Sequence, residues 1–208
     1  MRFDDEAKTW DEKPERAERS ILFAERLSGL IKANDYKTGM DFGAGTGVTS
    51  FRLADELEKI TLIDYSSGMV DEINKKLEQK NATHMEAHCL NLLDPANALP
   101  EKYDLIYSIM TLHHILDTER LLEVFHQHLN PGGMVALVDL DSEDGSFHAK
   151  YPDFDGHLGF DRSDLFQKLK NAGFEHMVAE DFYTIFKEED IEKSKPYPLF
   201  LIKAQKQP

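Results

Sequence analysis

Met40-Asp41-Phe42-Gly43-Ala44-Gly45-Thr46-Gly47 is the stretch on which the reading of this chain turns. A short, partly apolar run over 38–42 leads into three glycines at alternate positions, and a helical pattern follows over 47–57. Strand, glycine loop and helix in that order bring backbone amides close to a ligand, because glycine accepts positive φ and carries no Cβ. In a dinucleotide-binding fold the spacing is G-x-G-x-x-G and the loop meets a pyrophosphate. Here Val48 stands where the third glycine of that fingerprint belongs. Asp41, two positions before Gly43, would repel a pyrophosphate, whereas its charge suits a ligand with a cationic ammonium group. Asp64 lies seventeen residues beyond Gly47, where a carboxylate accepts from both ribose hydroxyls and argues against a 2′-phosphate. Together these features disfavour a nicotinamide-dependent oxidoreductase.

Working outward, strand and helix patterns alternate. Ala17, Ile21, Ala24, Leu27 and Leu30 recur at steps of three and four, which predicts an amphipathic helix over 14–34 ahead of the first strand. Downstream, 60–64 reads as a strand, 68–80 as a helix, 83–90 as a weaker strand and 103–109 as a strong one. A helix over 116–129, a turn at Asn130-Pro131-Gly132-Gly133 and a strand over 134–140 follow. This rhythm predicts an α/β fold with a mostly parallel sheet and helices on both faces. The polar, aromatic-containing stretch 141–160 is longer than most loops in a compact domain and reads as a lid or substrate loop. Asp161-Arg162-Ser163-Asp164 offers start chemistry for a helix over 165–172, with Gly173 as the stop. Strands over 177–186 and 198–204 flank the charged segment 187–195 and read as a closing antiparallel pair.

Composition bounds the function. The 208 residues suffice for one substantial core, so a single domain over 1–208 is expected: arm and helix 1–34, core 35–140, loop 141–160, final helix and strand pair 161–208. With 41% hydrophobic and 30% charged residues the chain belongs with soluble globular proteins. No apolar run reaches the roughly 20 residues that span a bilayer, the first residues lack a secretory pattern, and Cys89 as the only cysteine rules out an internal disulfide. A cytoplasmic location is expected. The 24 basic and 39 acidic side chains give a charge of −15, which disfavours nucleic acid and anionic membrane as partners. Oligomeric state leaves no mark on the sequence.

Five ordered blocks carry a resemblance to a known family: 40–47 as quoted, Leu62-Ile63-Asp64-Tyr65-Ser66-Ser67-Gly68-Met69, Tyr103-Asp104-Leu105-Ile106-Tyr107-Ser108, Leu112-His113-His114, and Leu129-Asn130-Pro131-Gly132-Gly133. In this order and spacing the chain resembles the class I, Rossmann-like S-adenosylmethionine-dependent methyltransferases of the small-molecule type, firmly over 35–140. The resemblance implies a three-layer sandwich with a seven-stranded sheet in order 3-2-1-4-5-7-6, its last strand antiparallel. It implies S-adenosylmethionine as cofactor and S-adenosylhomocysteine as product. It places Asp41 and the backbone of Gly43, Ala44, Gly45 and Gly47 at the methionine end, Asp64 on the ribose, Tyr65 and Met69 along ribose and adenine, and Ser108 and Ile109 beneath the methionine portion. Where many relatives carry an aspartate for the adenine amino group this chain has Cys89, and the Leu90 amide is the remaining adenine contact.

Methyl transfer from a sulfonium is an in-line displacement, for which a protein supplies alignment and exclusion of water; a general base is needed only for some acceptors. His113, His114, His148 and His157 are the candidates, read as turn packing for the first pair and as solvent-exposed for the second. The acids Asp139, Asp141, Glu143, Asp144, Asp153 and Asp155 read as a solvated acidic loop, so no metal is expected. Trp10, the only tryptophan, reads as part of an arm that folds over cofactor or acceptor. The expected activity is methylation of a small molecule. The alternatives are methylation of a protein or tRNA, or non-catalytic binding of the cofactor. Substituting Asp64→Ala is predicted to weaken S-adenosylhomocysteine binding by about 1.5–3 kcal/mol, measured by calorimetry; unchanged affinity in a folded variant contradicts the ribose assignment.

Overall fold

The computed structural model describes residues 2–97, 99–190 and 193–208. Seven strands form one sheet in the order β3-β2-β1-β4-β5-β7-β6, with β1 Thr38–Phe42, β2 Lys59–Asp64, β3 Met85–Cys89, β4 Tyr103–Ile109, β5 Leu129–Leu140, β6 Phe174–Asp190 and β7 Lys193–Lys206. The first five run parallel, and β7 lies antiparallel between β5 and β6. This is the sheet expected from the family resemblance.

Side-chain alternation divides the core between the two faces. Leu105 and Tyr107 of β4, Ala136, Val138 and Leu140 of β5, and Leu199 and Leu201 of β7 pack on Phe23, Ala24, Leu27 and Ile31 of helix α2 (Pro14–Asn34). The intervening Ile106, Val135, Leu137, Phe200 and Ile202 face Leu121, Leu122 and Phe125 of α5 (Thr118–His128) and Leu165 and Leu169 of α6 (Arg162–Asn171). Period-two strands buried on both sides read as continuous apolar runs, the pattern of 134–140.

Helix starts follow their capping residues. Ser66 accepts from the Met69 amide at the start of α4 (Ser67–Lys80), Asp117 from Arg120 at α5, and Asp161 from both Ser163 and Asp164 at α6. No helix among the described residues is long and apolar enough to cross a membrane.

Several boundaries differ from the sequence expectation. The helix after the glycine loop, α3 (Val48–Arg52), is shorter than 47–57, because the Leu53 amide bonds the Ser50 carbonyl and the chain turns. Residues 130–133 are not a free turn. They form a bulge inside β5, whose partners on β4 step from Tyr103↔Leu129 to Leu105↔Met134, with Asn130 Nδ2 donating to Asp104 and the Gly132 amide to Gln207. The charged segment 187–195 is drawn into the β6–β7 ladder, which pairs Lys187 with Lys195; residues 191–192 lie outside the described ones. Ahead of α2, a short helix α1 (Arg2–Glu6) and a 3₁₀ turn (Ala7–Glu12) order an arm that carried no helical pattern.

Leu137 is fully buried in a strand paired on both edges, so Leu137→Ala is expected to cost about 2–5 kcal/mol. Val178→Ala on the exposed side of β6, where the residue is 53% exposed, should stay within about 0.5 kcal/mol. Urea unfolding of the two variants checks the assignment of core and surface.

Candidate functional site

Parallel pairing brings the C-terminal ends of β1 to β4 to one edge of the sheet. The chain reverses direction across that sheet between β1 and β4, where open α/β sheets present a ligand crevice. Asp41 and the glycine loop stand at the end of β1, Asp64 ends β2, Cys89 ends β3, and Ser108 and Ile109 end β4.

The loop needs its glycines. Gly43, Gly45 and Gly47 have φ of 69°, 56° and 80°, and a Cβ on Gly43 would meet the Thr111 side chain at 2.2 Å. The Gly43 and Ala44 amides bond the Ile63 carbonyl at 2.8 and 3.0 Å. Asp64 then grips the loop from the side: one carboxylate oxygen accepts from the Gly45 amide at 2.8 Å and the other from the Ser66 amide at 2.9 Å. Burial pushes its pKa up and these amides oppose the shift.

Asp41 lies beneath the loop, 2% exposed. Its carboxylate accepts from Ser50 Oγ at 2.6 Å, and Ser50 Oγ lies 2.7 Å from the Tyr107 hydroxyl. Burial raises Asp41 to about 7, the Ser50 bond pulls the other way, and the charge on Asp64 adds to the rise. Burial, then Asp41, keeps Tyr107 protonated far above its ordinary range, so Tyr107 donates to Ser50 and Ser50 to Asp41. Ser50 and Tyr107 carried no signal in the sequence beyond helical and strand positions.

At the adenine end expected from the sequence, Cys89 is exposed and its thiol lies 3.7 Å from the Tyr65 carbonyl. Burial, then Asp64, Asp4 and Asp71, push the thiol up, so it stays protonated at neutral pH. The Leu90 amide donates to the Asp64 carbonyl at 3.1 Å in the β2–β3 ladder, which corrects the expectation that it serves the adenine ring: the parallel ladder already takes its proton. Tyr65 is 62% exposed and Met69 is buried in the first turn of α4. Ser108 is buried and donates to the Phe42 carbonyl at 2.7 Å, tying the end of β4 to β1.

The arm lies across the loop. Thr46 Oγ1 donates to Asp11 at 2.5 Å, and Lys76 bridges Asp11 and the Thr46 carbonyl at 2.7 and 2.8 Å. Asp4 accepts from Ser66 Oγ at 2.6 Å and the Gly68 amide at 3.0 Å, bonds that hold its carboxyl well below the usual range. The Trp10 indole nitrogen stands 3.6 Å from the space a Cβ on Gly45 would take, with the Arg16 guanidinium 3.6 Å over its ring.

Beyond β4, three of the four candidate histidines come together. His113, His114 and His148 have ring centroids 4.2, 5.1 and 5.7 Å apart. His148 is 7% exposed and stacks on Phe154 at 3.7 Å, which corrects the solvent-exposed reading. His157 is half-buried and hydrogen-bonded to the Ile115 carbonyl at 3.0 Å and Thr118 at 3.1 Å, a loop anchor rather than an exposed ring. Asp139 is not part of a solvated loop either. It is fully buried, 2.6 Å from His113 Nδ1. An acid inside the apolar run 134–140 was the available signal, since a buried charge needs a partner. Other acids of the loop are paired: Asp141 takes a two-pronged bond from Arg162 at 2.7 Å on each prong, Asp144 binds Lys195 at 2.6 Å, and Glu143 accepts from the Gly145 and Phe147 amides.

Comparison with known proteins adds to this geometry. Residues 40–135 match the family model described as a methyltransferase domain. Phosphoethanolamine N-methyltransferase of Triticum aestivum is 31% identical over 186 residues, 82% of this chain and 36% of that protein. The tRNA 5-carboxymethoxyuridine methyltransferase of Escherichia coli K12 is 30% identical over 101 residues, 48% of this chain and 38% of that one. The chain thus spans little more than a third of either relative. Among solved structures, Haemonchus contortus phosphoethanolamine N-methyltransferase 2, in complex with phosphomonomethylethanolamine and S-adenosylhomocysteine, superposes with a TM-score of 0.69 at 16% identity over 83% of this chain and 49% of that chain.

Asp41 yields a pH prediction. Its folded pKa of about 7 lies above the ordinary value of about 3.9. The stability it contributes is therefore complete below about pH 4 and is lost as pH rises to about 7. Asp41→Asn keeps an acceptor for Ser50 and removes the titration. Its melting temperature should exceed that of the wild type at about pH 8, by an amount reflecting a few kcal/mol at about 1.4 kcal/mol per pH unit, and the gap should close towards pH 4. A gap independent of pH contradicts the assignment.

Proposed function

The chain carries, over residues 40–135, a methyltransferase domain with the Rossmann-like fold of the S-adenosylmethionine-dependent family, and from that premise we propose that it transfers a methyl group from S-adenosylmethionine to a small-molecule acceptor. The observation that carries the acceptor class is the arm. Asp11 on Thr46, Asp4 on Ser66 and Gly68, and Trp10 beside Gly45 roof the crevice, while Phe3 packs on His114 at 5.4 Å. A roofed site of this kind admits a small molecule more readily than a folded polymer. The name of the wheat relative points the same way.

The residues at the crevice fit such a cofactor. The Gly43 position has no room for a Cβ, and the acid beneath the loop suits a cationic ammonium group. S-adenosylmethionine supplies a methyl group already on a good leaving group. This chain's part is to hold and to exclude water. The loop backbone and Asp41 orient the amino-acid end, and Asp64 keeps the loop in shape while facing the ribose. Tyr65, Met69 and Cys89 flank the adenine end, and Ser108 and Ile109 form the floor. In the organisation we propose, 1–34 is the covering arm, 35–140 the cofactor core, 141–160 the acceptor loop and 161–208 the closing elements of one domain, in a cytoplasmic protein.

A second reading, methylation of tRNA, is favoured by the similarity to the Escherichia coli tRNA enzyme. It is opposed by the charge of −15, since a polyanion is repelled unless basic residues cluster.

Two measurements test the proposal. Calorimetry should show S-adenosylhomocysteine binding that tightens as pH rises through about 7, because ionised Asp41 favours the ligand's ammonium; binding of NADH in its place would overturn the cofactor assignment. With labelled cofactor and size-fractionated cell extract, the label should pass into the small-molecule fraction. Label retained on protein or RNA defeats the small-molecule reading.

A further inference from the structure

The side-chain cluster that the cofactor reading leaves unused is the group of histidines beyond β4. The ligating atoms of His113, His114 and His148 all lie within 4.8 Å of one another. They come from two segments that are distant in sequence, the 3₁₀ turn Leu112–His114 and the 3₁₀ turn Ser146–His148, and the loop that carries the second turn is tied further along to the first. The His157 amide bonds the His113 carbonyl at 2.7 Å, and a Cβ on Gly156 would sit 2.2 Å from that same carbonyl, so the loop closes down on the turn only because residue 156 is glycine.

Asp139 makes the cluster more than a stack of rings. One carboxylate oxygen accepts from His113 Nδ1 at 2.6 Å and from the Leu140 amide at 2.7 Å, and the other accepts from the His113 amide at 3.2 Å. With the proton fixed on Nδ1, the lone pair of His113 is on Nε2. A carboxylate on the far nitrogen of an imidazole is the arrangement that orients metal-binding histidines and raises their basicity. The surround is apolar: Phe147 lies 4.9 Å from His148, Phe154 5.5 Å from His114, and Phe3 5.4 Å from His114.

We propose that His113, His114 and His148 bind one divalent transition-metal ion of the zinc, cobalt, iron(II) or nickel class, with Asp139 as the positioning residue for His113. Three nitrogen donors select borderline metals over magnesium or calcium, which take oxygen. Metal–nitrogen bonds of about 2.0–2.1 Å put tetrahedral ligands about 3.3 Å apart, so the rings close by no more than about 1.5 Å, within reach of rotamer adjustment. Three protein ligands leave a fourth position for water or a donor atom of an acceptor, as in catalytic rather than structural zinc sites. That use of the fourth position rests on the methyl-transfer reading; the binding of the ion does not.

The test uses the full chain stripped with a chelator and titrated with cobalt(II), followed by visible absorption, and with zinc, followed by calorimetry. One equivalent should bind, and X-ray absorption of the zinc-loaded wild type should show imidazole scattering from three rings. His148→Ala and His114→Gln should each weaken binding at least about tenfold, and Asp139→Asn about 10- to 100-fold, with circular dichroism unchanged. The proposal is overturned if the stripped wild type binds neither ion saturably, if the zinc shell contains sulfur or only oxygen, or if folded His148→Ala and His114→Gln bind as tightly as the wild type. Absence of S-adenosylhomocysteine binding in the wild type would defeat the methyl-transfer reading alone and leave the metal site standing.

Discussion

The two-handed grip of Asp64 on the amides of Gly45 and Ser66 is the constraint on which this end of the molecule depends. It joins the loop after β1 to the start of α4, so that one carboxylate at the end of β2 sets two adjacent turns. Bonds from a carboxylate to backbone amides are about twice as strong as neutral ones. Those amides offset part of the cost of burying the charge, which nonetheless leaves Asp64 with a raised pKa. The Ser66 hydroxyl, whose oxygen caps α4, donates its own proton to Asp4. The arm is thereby attached to the same junction.

Beneath that junction the protein tolerates an unfavourable arrangement. Asp41 is buried with a hydroxyl rather than a cation as its hydrogen-bond partner, and near neutrality it is poised between charged and neutral forms. A carboxylate held this way destabilises the ligand-free chain and is relieved when positive charge arrives nearby, the pattern expected where stability is exchanged for binding. Tyr107 and Ser50 complete the network by donating towards it, which keeps the site polar inside a core otherwise made of Phe23, Leu27 and Leu105.

The loop after β5 shows the same economy of polar groups. Asp141, Asp144 and Glu143 are taken up by Arg162, Lys195 and the loop's own amides, while His148, Phe147 and Phe154 face His113 in the turn after β4. The 141–160 segment is therefore tied down at both ends, through the Asp141↔Phe160 bridge and the His157 bond to His113. Long loops that are anchored in this way commonly carry specificity.

What the sequence determined by itself was whatever depends on neighbours along the chain. The glycines at 43, 45 and 47 announce a loop of positive φ, Asp161 announces a helix start, and the βα rhythm announces a mostly parallel sheet with helices on both faces, while its strand order is what the family resemblance implied. Boundaries shifted where a distant strand intervened: β7 and β4 drew 130–133 into a bulge, and the ladder absorbed 187–190 and 193–195. The tertiary structure alone decided the environments of titratable groups. Nothing local in the sequence says that Asp41 faces Ser50, that the Leu90 amide is already bonded, or that His148 meets His113 across 35 positions of chain beside a buried Asp139. Burial and the choice of hydrogen-bond partner are set by which segments pack together, and those contacts are made through space.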